Sequence, residues 1–396
     1  MTAVPAALAL GFRNPDQDAR ATAQGEAFVA QADSPSAVHY NPGGLTQLTG
    51  TQVSGGGYIF FPEFSFDSGL NSEEMDKWSF VPHVYVASDL GTEKWRFGFG
   101  FNVPYGTSVD WGSQGALRYV CTSSQMQVYN FAPTVAYQIN ENLSLGGGVN
   151  IYHGNIKMKQ RASFSSLLPD ARADFHGDGQ ALGATVGVLW KINKQNAVGV
   201  TYRSPFTVDF DGTAKVSGAP WFLPYDFGPS SANVCMEFPQ QVAVGYAYRP
   251  IEKLKLEVDV EWTDWDTMDD VKLHSRNTFF DSDTNASYIL PMDWRASFFY
   301  EFGVQYDLTE EWALRAGYIY SENSVPSRTF SASVPDSNRH IFSVGVGYST
   351  KRWGVDLAYQ YSLGDDRTIR DSSYTSVNGK WEVRSQAVML TATLKF

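Results

Sequence analysis

Apolar and polar side chains alternate along almost the whole chain after Gly50. A period of two residues indicates β-strands, because successive side chains of a strand point to opposite faces of the sheet. In the stretch 254–262, for example, leucine, valine and tryptophan alternate with lysine, glutamate and aspartate. That stretch alone fits either a soluble sandwich with its charges outward or a membrane barrel with its charges inward.

The number and length of the alternating stretches decide between these two folds. We predict fourteen strands, at about 51–64, 78–89, 95–104, 125–139, 143–161, 177–191, 197–216, 234–248, 254–274, 293–307, 311–321, 338–350, 353–363 and 380–396. Several run well beyond the roughly five or six residues typical of soluble strands. Large apolar residues on one face and small or polar residues on the other are typical of strands between lipid and a lumen.

The predicted connections alternate between short and long. The connection 140–142 is short and the next one, 162–176, is long. Outer-membrane barrels have short periplasmic turns and long outer loops. The last strand alternates up to Phe396, which is the usual assembly signal of such barrels. We therefore predict an all-β, fourteen-stranded antiparallel transmembrane barrel in the outer membrane of a Gram-negative bacterium.

The first 50 residues lack the strand alternation. Residues 1–10 carry small residues spaced as at a signal-peptidase site but no basic region, so they fit a secretory-signal remnant or a disordered start. Residues 11–50 are rich in glycine, alanine and aspartate and contain the sequence Asn-Pro-Gly-Gly at 41–44. We interpret residues 11–50 as a hatch that plugs a barrel formed by residues 51–396.

Composition supports this interpretation and excludes other classes of protein. Aromatic residues make up 15% of the chain, which suits a membrane barrel, and the net charge of −12 without a basic patch argues against nucleic-acid binding. Cys121 and Cys235 lack the spacing of a metal site, and we expect neither metal nor cofactor. Both cysteines fall in outer positions, where a disulfide and two free thiols remain equally compatible with the sequence.

Seven short motifs follow one another along the chain from residue 11. They are Gly11-Phe12-Arg13, Ala37-Val38-His39-Tyr40-Asn41-Pro42-Gly43-Gly44-Leu45, Phe101-Asn102-Val103-Pro104-Tyr105-Gly106, Leu117-Arg118-Tyr119, Trp262-Thr263-Asp264-Trp265, Leu314-Arg315-Ala316-Gly317-Tyr318 and Val334-Pro335-Asp336-Ser337-Asn338-Arg339. Together they resemble the FadL/TodX-type outer-membrane transporters of long-chain fatty acids and other hydrophobic compounds. That family's usual hatch motif is Asn-Pro-Ala-Gly-Leu, and here Gly43 replaces the alanine.

The resemblance implies a monomer that takes up hydrophobic molecules passively. Outer loops capture the ligand, an inner pocket beside the hatch receives it, and a kink in the third strand releases it sideways into the membrane. The expected partners are fatty acids or aromatic hydrocarbons, outer-membrane lipid and lipopolysaccharide, with detergent bound in purified protein. The hatch and inner pocket are expected at Phe12, Phe28, Asn41, Pro42 and Gly43.

Two outer loops carry unusually many large apolar residues for water-exposed segments. We expect ligand capture by Phe164, Leu167, Leu168, Trp221, Phe222, Leu223, Tyr225 and Phe227. The alternative is that the two loops pack on each other as a lid.

Proline and glycine interrupt the third predicted strand, because proline has no N–H to donate and glycine leaves a gap. The resemblance implies that this interruption is the lateral gate, formed by Gly100, Asn102, Val103, Pro104 and Tyr105 and touching Asn41 and Pro42 of the hatch. The alternative is an ordinary strand end that leads into a loop.

Charged residues on the lumen face are expected to pair with one another or with the hatch. They are Arg203, Lys255, Glu257, Asp259, Glu261, Arg295, Glu301, Arg315 and Asp356. The candidates for holding a ligand carboxylate by bidentate hydrogen bonding are Arg118, Arg203 and Arg295.

Two other functions compete with transport of apolar molecules. A lipid-active outer-membrane enzyme would need a catalytic cluster, but the six histidines are scattered and the chain has no Gly-x-Ser-x-Gly elbow. An unselective porin would need an open lumen, which a hatch of 40 residues would fill. We therefore predict a transporter rather than an enzyme, with a ligand that the sequence does not name.

Overall fold

The computed structural model describes residues 11–165, 167–220, 222, 228–275 and 288–396, without the side chains of 288 and 289. Within these residues the strands are β1 (Thr51–Asp67), β2 (Ser72–Met75), β3 (Ser79–Ser88), β4 (Trp95–Asp110), β5 (Ser123–Gln138), β6 (Leu143–Ala162), β7 (Ala171–Lys191), β8 (Asn196–Arg203), β9 (Phe206–Ser217), β10 (Ser230–Phe238), β11 (Gln241–Ile251), β12 (Leu254–Thr263), β13 (Asp270–Ser275), β14 (Tyr288–Pro291), β15 (Ser297–Asp307), β16 (Trp312–Ser321), β17 (Arg339–Ser349), β18 (Trp353–Gly364), β19 (Arg367–Ile369) and β20 (Gly379–Lys395).

Helical structure in the described residues is short. It consists of α1 (Ala19–Thr22), α2 (Ala37–Tyr40) and 3-10 turns at Pro42–Gln47, Ala116–Tyr119, Trp265–Thr267, Ser327–Thr329 and Thr375–Val377. No helix in this part of the chain is long and apolar enough to cross a membrane.

The strands form a closed antiparallel ring. Four of the barrel strands consist of two segments each, namely β8 with β9, β10 with β11, β12 with β13, and β14 with β15. β20 pairs with β1 from Gln52↔Lys395 to Asp67↔Lys380 and closes the ring. The predicted barrel of fourteen antiparallel strands is therefore confirmed.

Several predicted strand limits are wrong. The strands predicted at 197–216 and 234–248 are each divided, after Arg203 and after Phe238, and the strand predicted at 293–307 begins at Ser297 after the separate segment β14. The strand predicted at 254–274 is interrupted between β12 and β13, because the turn Trp265–Thr267 folds inward and buries Trp265 completely. The third strand continues past Pro104 to Asp110, and the sixth already begins at Ala171. Period-two alternation alone could detect neither a buried turn nor strand pairing that extends beyond the membrane.

The two faces of the wall resolve the ambiguity of the stretch 254–262. Leu256, Val258 and Val260 are exposed on the outside of the ring, whereas Glu257 and Asp259 are buried inside it. This arrangement is the reverse of a soluble sandwich and is the one expected when the outer face meets lipid.

The N-terminal segment (residues 11–50) lies inside the ring. Most of its residues are buried, and several wall glycines face its backbone directly. A Cβ at Gly317 would overlap the Gly25 nitrogen, and a Cβ at Gly303 would lie 2.6 Å from the Gln24 carbonyl oxygen. The small-residue faces of the wall strands therefore make room for the N-terminal segment.

Candidate functional site

Acidic residues of β12 hold the N-terminal segment against the wall. Glu257 accepts a hydrogen bond from the Ala30 amide at 2.6 Å, and Asp259 accepts from the amides of Phe28 and Val29 at 2.9 and 2.8 Å. The expectation that inward charges bind the N-terminal segment is confirmed for these residues. A carboxyl group serves this purpose well because its two oxygens can accept hydrogen bonds from successive backbone amides.

Ion pairs reinforce the same contact. Arg13 pairs with Glu261 at 2.5 Å, and its guanidinium lies 5.2 Å above the ring of Phe299. Asp33 pairs with Arg20 at 3.0 Å and with Lys255 at 3.2 Å. Sequence reasoning did not single out Arg13 as a site residue, and its partner lies 248 positions away.

The sequence 41–44 docks on β6 and β7. The Asn41 side chain donates to the carbonyls of Val29 and Val188 at 2.8 and 2.9 Å and accepts from the Gly43 amide at 3.0 Å. Asn41 thereby begins the turn Pro42–Gln47 as its N-terminal cap.

Wall glycines allow this motif to approach closely. A Cβ at Gly146 would overlap the Pro42 backbone, and one at Gly187 would overlap the Asn41 side chain. These contacts place Asn41 and Pro42 on β6 and β7, and the expected contact with the kink of the third strand stays a prediction. The docking is on β6 and β7 because glycine there leaves space for backbone, whereas other residues of the N-terminal segment meet β4.

β4 leaves its neighbour β3 in the middle of the wall. The β3–β4 ladder runs only from Ser88↔Phe97 to Val84↔Phe101, although β3 continues to pair with β1 as far as Ser79. The β4–β5 register shifts between Asn102 and Tyr105, and residues 102–109 are all buried. The wall between β3 and β4 is therefore interrupted beyond Phe101.

The N-terminal segment takes the place of β3 beside this part of β4. The Asn14 amide donates to the Pro104 carbonyl at 2.8 Å, and the Gly106 amide donates to the Phe12 carbonyl at 2.7 Å. Arg13 and Tyr105 form an isolated antiparallel bridge between these two bonds. The predicted residues Asn102, Val103, Pro104 and Tyr105 thus lie at the interruption, while Gly100 lies in the last paired stretch against Val38.

A cluster of aromatic rings lies beside the interruption. The ring of Phe12 contacts Phe238, Trp265 and Trp294 with centroid distances of 5.6, 5.0 and 5.2 Å. Tyr105 contacts Phe238 at 5.0 Å and Trp265 at 6.5 Å, so Phe12 and Tyr105 share these two aromatic neighbours. Gly11 has a φ of 65°, and a Cβ there would overlap the Trp294 ring, so glycine is required before Phe12.

An apolar cavity of about 160 Å³ lies on the outer side of this cluster. Phe12 lines it, together with residues of β5, β6, β7, β10, β13 and β14 and of the loop between β16 and β17. The described lining residues include Cys121, Met126, Met158, Met236, Met292 and Val334. Methionine side chains adapt to ligands of irregular shape.

The predicted inner-pocket residues separate into two groups. Phe12 lines the cavity, whereas Phe28 packs in a small cluster with Ala21 and Tyr40. Asn41, Pro42 and Gly43 are buried at the β6–β7 docking face instead.

The predicted capture residues that the structure describes are Phe164, Leu167, Leu168 and Phe222, and the described lining of the cavity includes none of them. Phe164 packs against Ala171, Ala173 and Val216, and Ala173 also lines the cavity. Leu168 is partly buried, whereas Leu167 and Phe222 are exposed. Trp221, Leu223, Tyr225 and Phe227 lie outside the described residues.

The three candidate arginines are dispersed. Arg118 donates to Asp170 at 2.9 Å in the outer loops, and this bond raises the pKa of Arg118 and lowers that of Asp170. Arg203 donates to Gln241 at 3.0 Å and to the His39 carbonyl. Arg295 is exposed. The structure does not bring these arginines together, and the described cavity lining includes none of them.

The two cysteines are free thiols. Cys121 is buried in the cavity wall, and this burial raises the pKa of its thiol to about 12. Among the described residues, no group of three or more histidine, cysteine or acidic side chains could hold a metal ion.

Comparisons with known proteins identify the family. Residues 2–396 match the sequence profile of the family described as outer membrane protein transport protein (OMPP1/FadL/TodX). A long-chain fatty acid transport protein of Escherichia coli is 23% identical over 378 residues, which cover 85% of this chain and 82% of the relative.

Solved structures with identities below 25% show the same fold. A FadL homologue of Pseudomonas aeruginosa has a TM-score of 0.85 at 18% identity and covers 98% of this chain and 100% of its own. The toluene transporter TodX of Pseudomonas putida has a TM-score of 0.78 at 16% identity, with 97% and 99% covered. Since the profile spans nearly the whole chain, the protein belongs to the OMPP1/FadL/TodX family of outer-membrane transport proteins.

Proposed function

We propose that the protein mediates passive uptake of hydrophobic molecules, either long-chain fatty acids or aromatic hydrocarbons, across the outer membrane. Residues 11–50 act as a hatch, and the ligand leaves sideways between β3 and β4. The observation that carries the proposal is the position of Phe12. Its ring lines the apolar cavity, and its carbonyl accepts a hydrogen bond from Gly106 where β4 has left β3.

The apolar cavity supplies the driving force for capture. A hydrophobic molecule gains about 0.8 kcal/mol for each methylene group that it transfers from water into such a cavity. The route must also have a second opening, because binding alone does not carry the molecule past the hatch. The interrupted β3–β4 ladder provides that opening toward lipid, where an apolar molecule is favourably solvated.

Ligand binding and opening are coupled through Phe12. A ligand that fills the cavity contacts Phe12, whose ring packs against Trp265 and Trp294, and can push that ring aside. Movement of Phe12 strains its backbone bond to Gly106 and the adjacent Arg13–Tyr105 bridge. A ligand shifts this equilibrium only by its difference in affinity for the two arrangements.

The outer loops that contain Phe164 and Phe222 deliver ligand from the lipopolysaccharide layer to the cavity. Phe164 lies close enough to transfer a molecule, since Ala173 touches both. We propose that the protein acts as a monomer. A competing unselective porin is disfavoured because the buried N-terminal segment occupies the lumen.

Uptake by a deletion strain tests the proposed function. A Gram-negative host that lacks its own fatty acid transporter is complemented with this protein, with an assembled unselective porin as control, and receives radiolabelled oleate or toluene. We expect uptake of at least one compound to rise well above the porin control. Equal uptake in both strains, with the protein folded in the outer membrane, would refute the proposal. High single-channel conductance in planar bilayers would favour a porin instead.

A further inference from the structure

The outer connection between β16 and β17 (residues 322–338, the roof loop) folds into the barrel mouth. Outer loops normally face water and carry polar residues. In the roof loop, Val325, Phe330, Ala332 and Val334 are buried. Ser331, Ser333 and Val334 line the apolar cavity, so the loop covers the cavity opposite β5 and β6.

Arg367 holds the roof loop in this position. In the described part of the chain its four side-chain hydrogen bonds all go to the roof loop. The acceptors are Asn323 Oδ1 at 3.0 Å, the Asp336 carbonyl at 2.7 Å, the Val325 carbonyl at 2.9 Å and Ser327 Oγ at 3.2 Å. The guanidinium also lies 5.0 Å from the centre of the Phe330 ring.

Arg367 and its contacts with the roof loop, here called the clamp, are tied to the barrel by strand pairing. Arg367 belongs to β19, which pairs with β20 through Arg367↔Trp381. Trp381 is buried, and its ring contacts Phe330 with a centroid distance of 5.0 Å. The clamp therefore joins the roof loop to a strand of the barrel wall on both its charged and its apolar side.

Other groups hold the loop through one or two hydrogen bonds each. Trp111 Nε1 donates to the Ala332 carbonyl at 2.8 Å, and Ser372 Oγ donates to the Phe330 carbonyl at 2.9 Å. The amide and the hydroxyl of Ser373 donate to the Arg328 carbonyl at 2.8 and 3.1 Å. At the base of the loop, Asp336 accepts from the Gly11 amide at 3.4 Å and from the Ser324 amide at 3.2 Å. Among the described residues outside the loop, Arg367 is the side chain that makes the most hydrogen bonds to it.

We propose that the roof loop is the outer lid of the cavity and that Arg367 is the positioning residue that keeps this lid closed. The inference rests on the proposed function only in treating the cavity as the ligand site. Loss of the clamp lets the roof loop swing outward and opens the cavity toward the cell exterior. The lid is separate from the capture loops that contain Phe164 and Phe222.

Cys121 offers a direct measure of lid opening, because it is a buried free thiol in the cavity wall. With Cys235→Ser as background, the rate of Cys121 alkylation by N-ethylmaleimide is followed by mass spectrometry of the intact, folded protein. Arg367→Met is compared with Arg370→Met, an exposed arginine three residues further along the same hairpin. This readout does not depend on transport, so its failure is distinguishable from failure of the proposed function.

We expect Arg367→Met to raise the alkylation rate about tenfold or more and Arg370→Met to leave it unchanged. An unchanged rate in folded Arg367→Met would overturn the proposal, and so would an equal increase in both variants. If Arg367→Met does not fold, Trp111→Phe removes the donor to Ala332 and is expected to raise the rate by a smaller factor. Unchanged alkylation in folded Trp111→Phe would then count against the lid.

Discussion

The N-terminal segment meets two parts of the wall in opposite ways. At β6 and β7 the wall ladder is continuous, from Leu143↔Trp190 to Ala162↔Ala171, and Asn41 and Pro42 dock onto glycines of that complete sheet. At β3 and β4 the ladder stops, and the backbone of residues 12–14 pairs with β4 in place of a neighbouring strand.

This difference separates anchoring from opening. The docked region loses no strand pairing if the segment moves, so it can only hold or release the segment. In the interrupted region, the backbone N–H and C=O groups of β4 have no partner strand and are hydrogen-bonded by the N-terminal segment instead. Such buried groups need partners. Movement of the N-terminal segment at this place would therefore expose the edge of β4 and create an opening in the wall at the same time. We infer that the first region sets where the segment sits and that the second sets when the wall opens.

The largest expected effect comes from filling the docking face. Gly146→Val would overlap the Pro42 backbone, which cannot move aside as a flexible side chain would. We expect the N-terminal segment to detach from β6 and β7 and the barrel to become permeable to hydrophilic antibiotics. Gly147→Ala is the matched control, since its Cβ would lie 3.4 Å from the Thr185 carbonyl in ordinary contact. Leakage is measured by antibiotic sensitivity, and a sealed Gly146→Val barrel would contradict the assigned docking face.

A strong effect is also expected on the interrupted side. Arg13→Met leaves Glu261 buried without its partner, which typically costs about 3–5 kcal/mol. We expect faster hydrogen exchange of the Gly106 amide and faster uptake, because the segment holds β4 less firmly. Lys194→Met, in an exposed turn, serves as control. If hydrogen exchange of the Gly106 amide is unchanged, the Arg13–Glu261 ion pair does not stabilise the contact between the N-terminal segment and β4.

A moderate effect is expected from the Asn-Pro motif. Asn41→Ala removes a turn cap and two donated hydrogen bonds, a loss of roughly 2 kcal/mol for seating of the segment. Asn41→Ala with Pro42→Ala should change uptake while the barrel still assembles, as monitored by heat-dependent mobility on gels. If assembly collapses instead, the motif serves folding rather than the transport path.

The smallest effect is expected at Gly100, in the last paired stretch before the interruption. A Cβ there would meet Val38 Cγ1 and the ring of Tyr85 at 2.9 and 3.1 Å rather than backbone. Gly100→Ala should therefore cost only about 1 kcal/mol and change uptake little. A transport loss as large as that of Gly146→Val would show that the two regions do not differ as described.

The barrel fold was predictable from the sequence because the alternation of apolar and polar residues is a local signal. Each barrel strand repeats the same lipid and lumen pattern, so fourteen strands could be counted without knowing their neighbours. Pro104 likewise indicated the interruption of the wall beside β4, because proline lacks an N–H in any structural context. The buried turn at Trp265 was missed because nothing in its local pattern distinguishes it from a strand.

The contacts inside the barrel were not predictable from local patterns. Arg13 and Glu261 are 248 residues apart, and the glycines that receive Pro42 look like any other small residues of a lumen face. Burial of the roof loop was also not predicted, because its mixture of small, polar and apolar residues is typical of an ordinary outer loop. Arg367, which donates hydrogen bonds to that loop, belongs to a different hairpin.

Photocrosslinking with a diazirine-bearing alkylbenzene tests the path most directly. The probe is bound to the purified protein, activated by light and located by peptide mass spectrometry. We predict adducts on cavity residues such as Met126 and Met236 and on residues at the β3–β4 interruption, such as Phe80 and Val103. Adducts along the docked face, at Thr46 or Ser144, without any at the interruption would contradict lateral release and indicate passage through the barrel toward the periplasm.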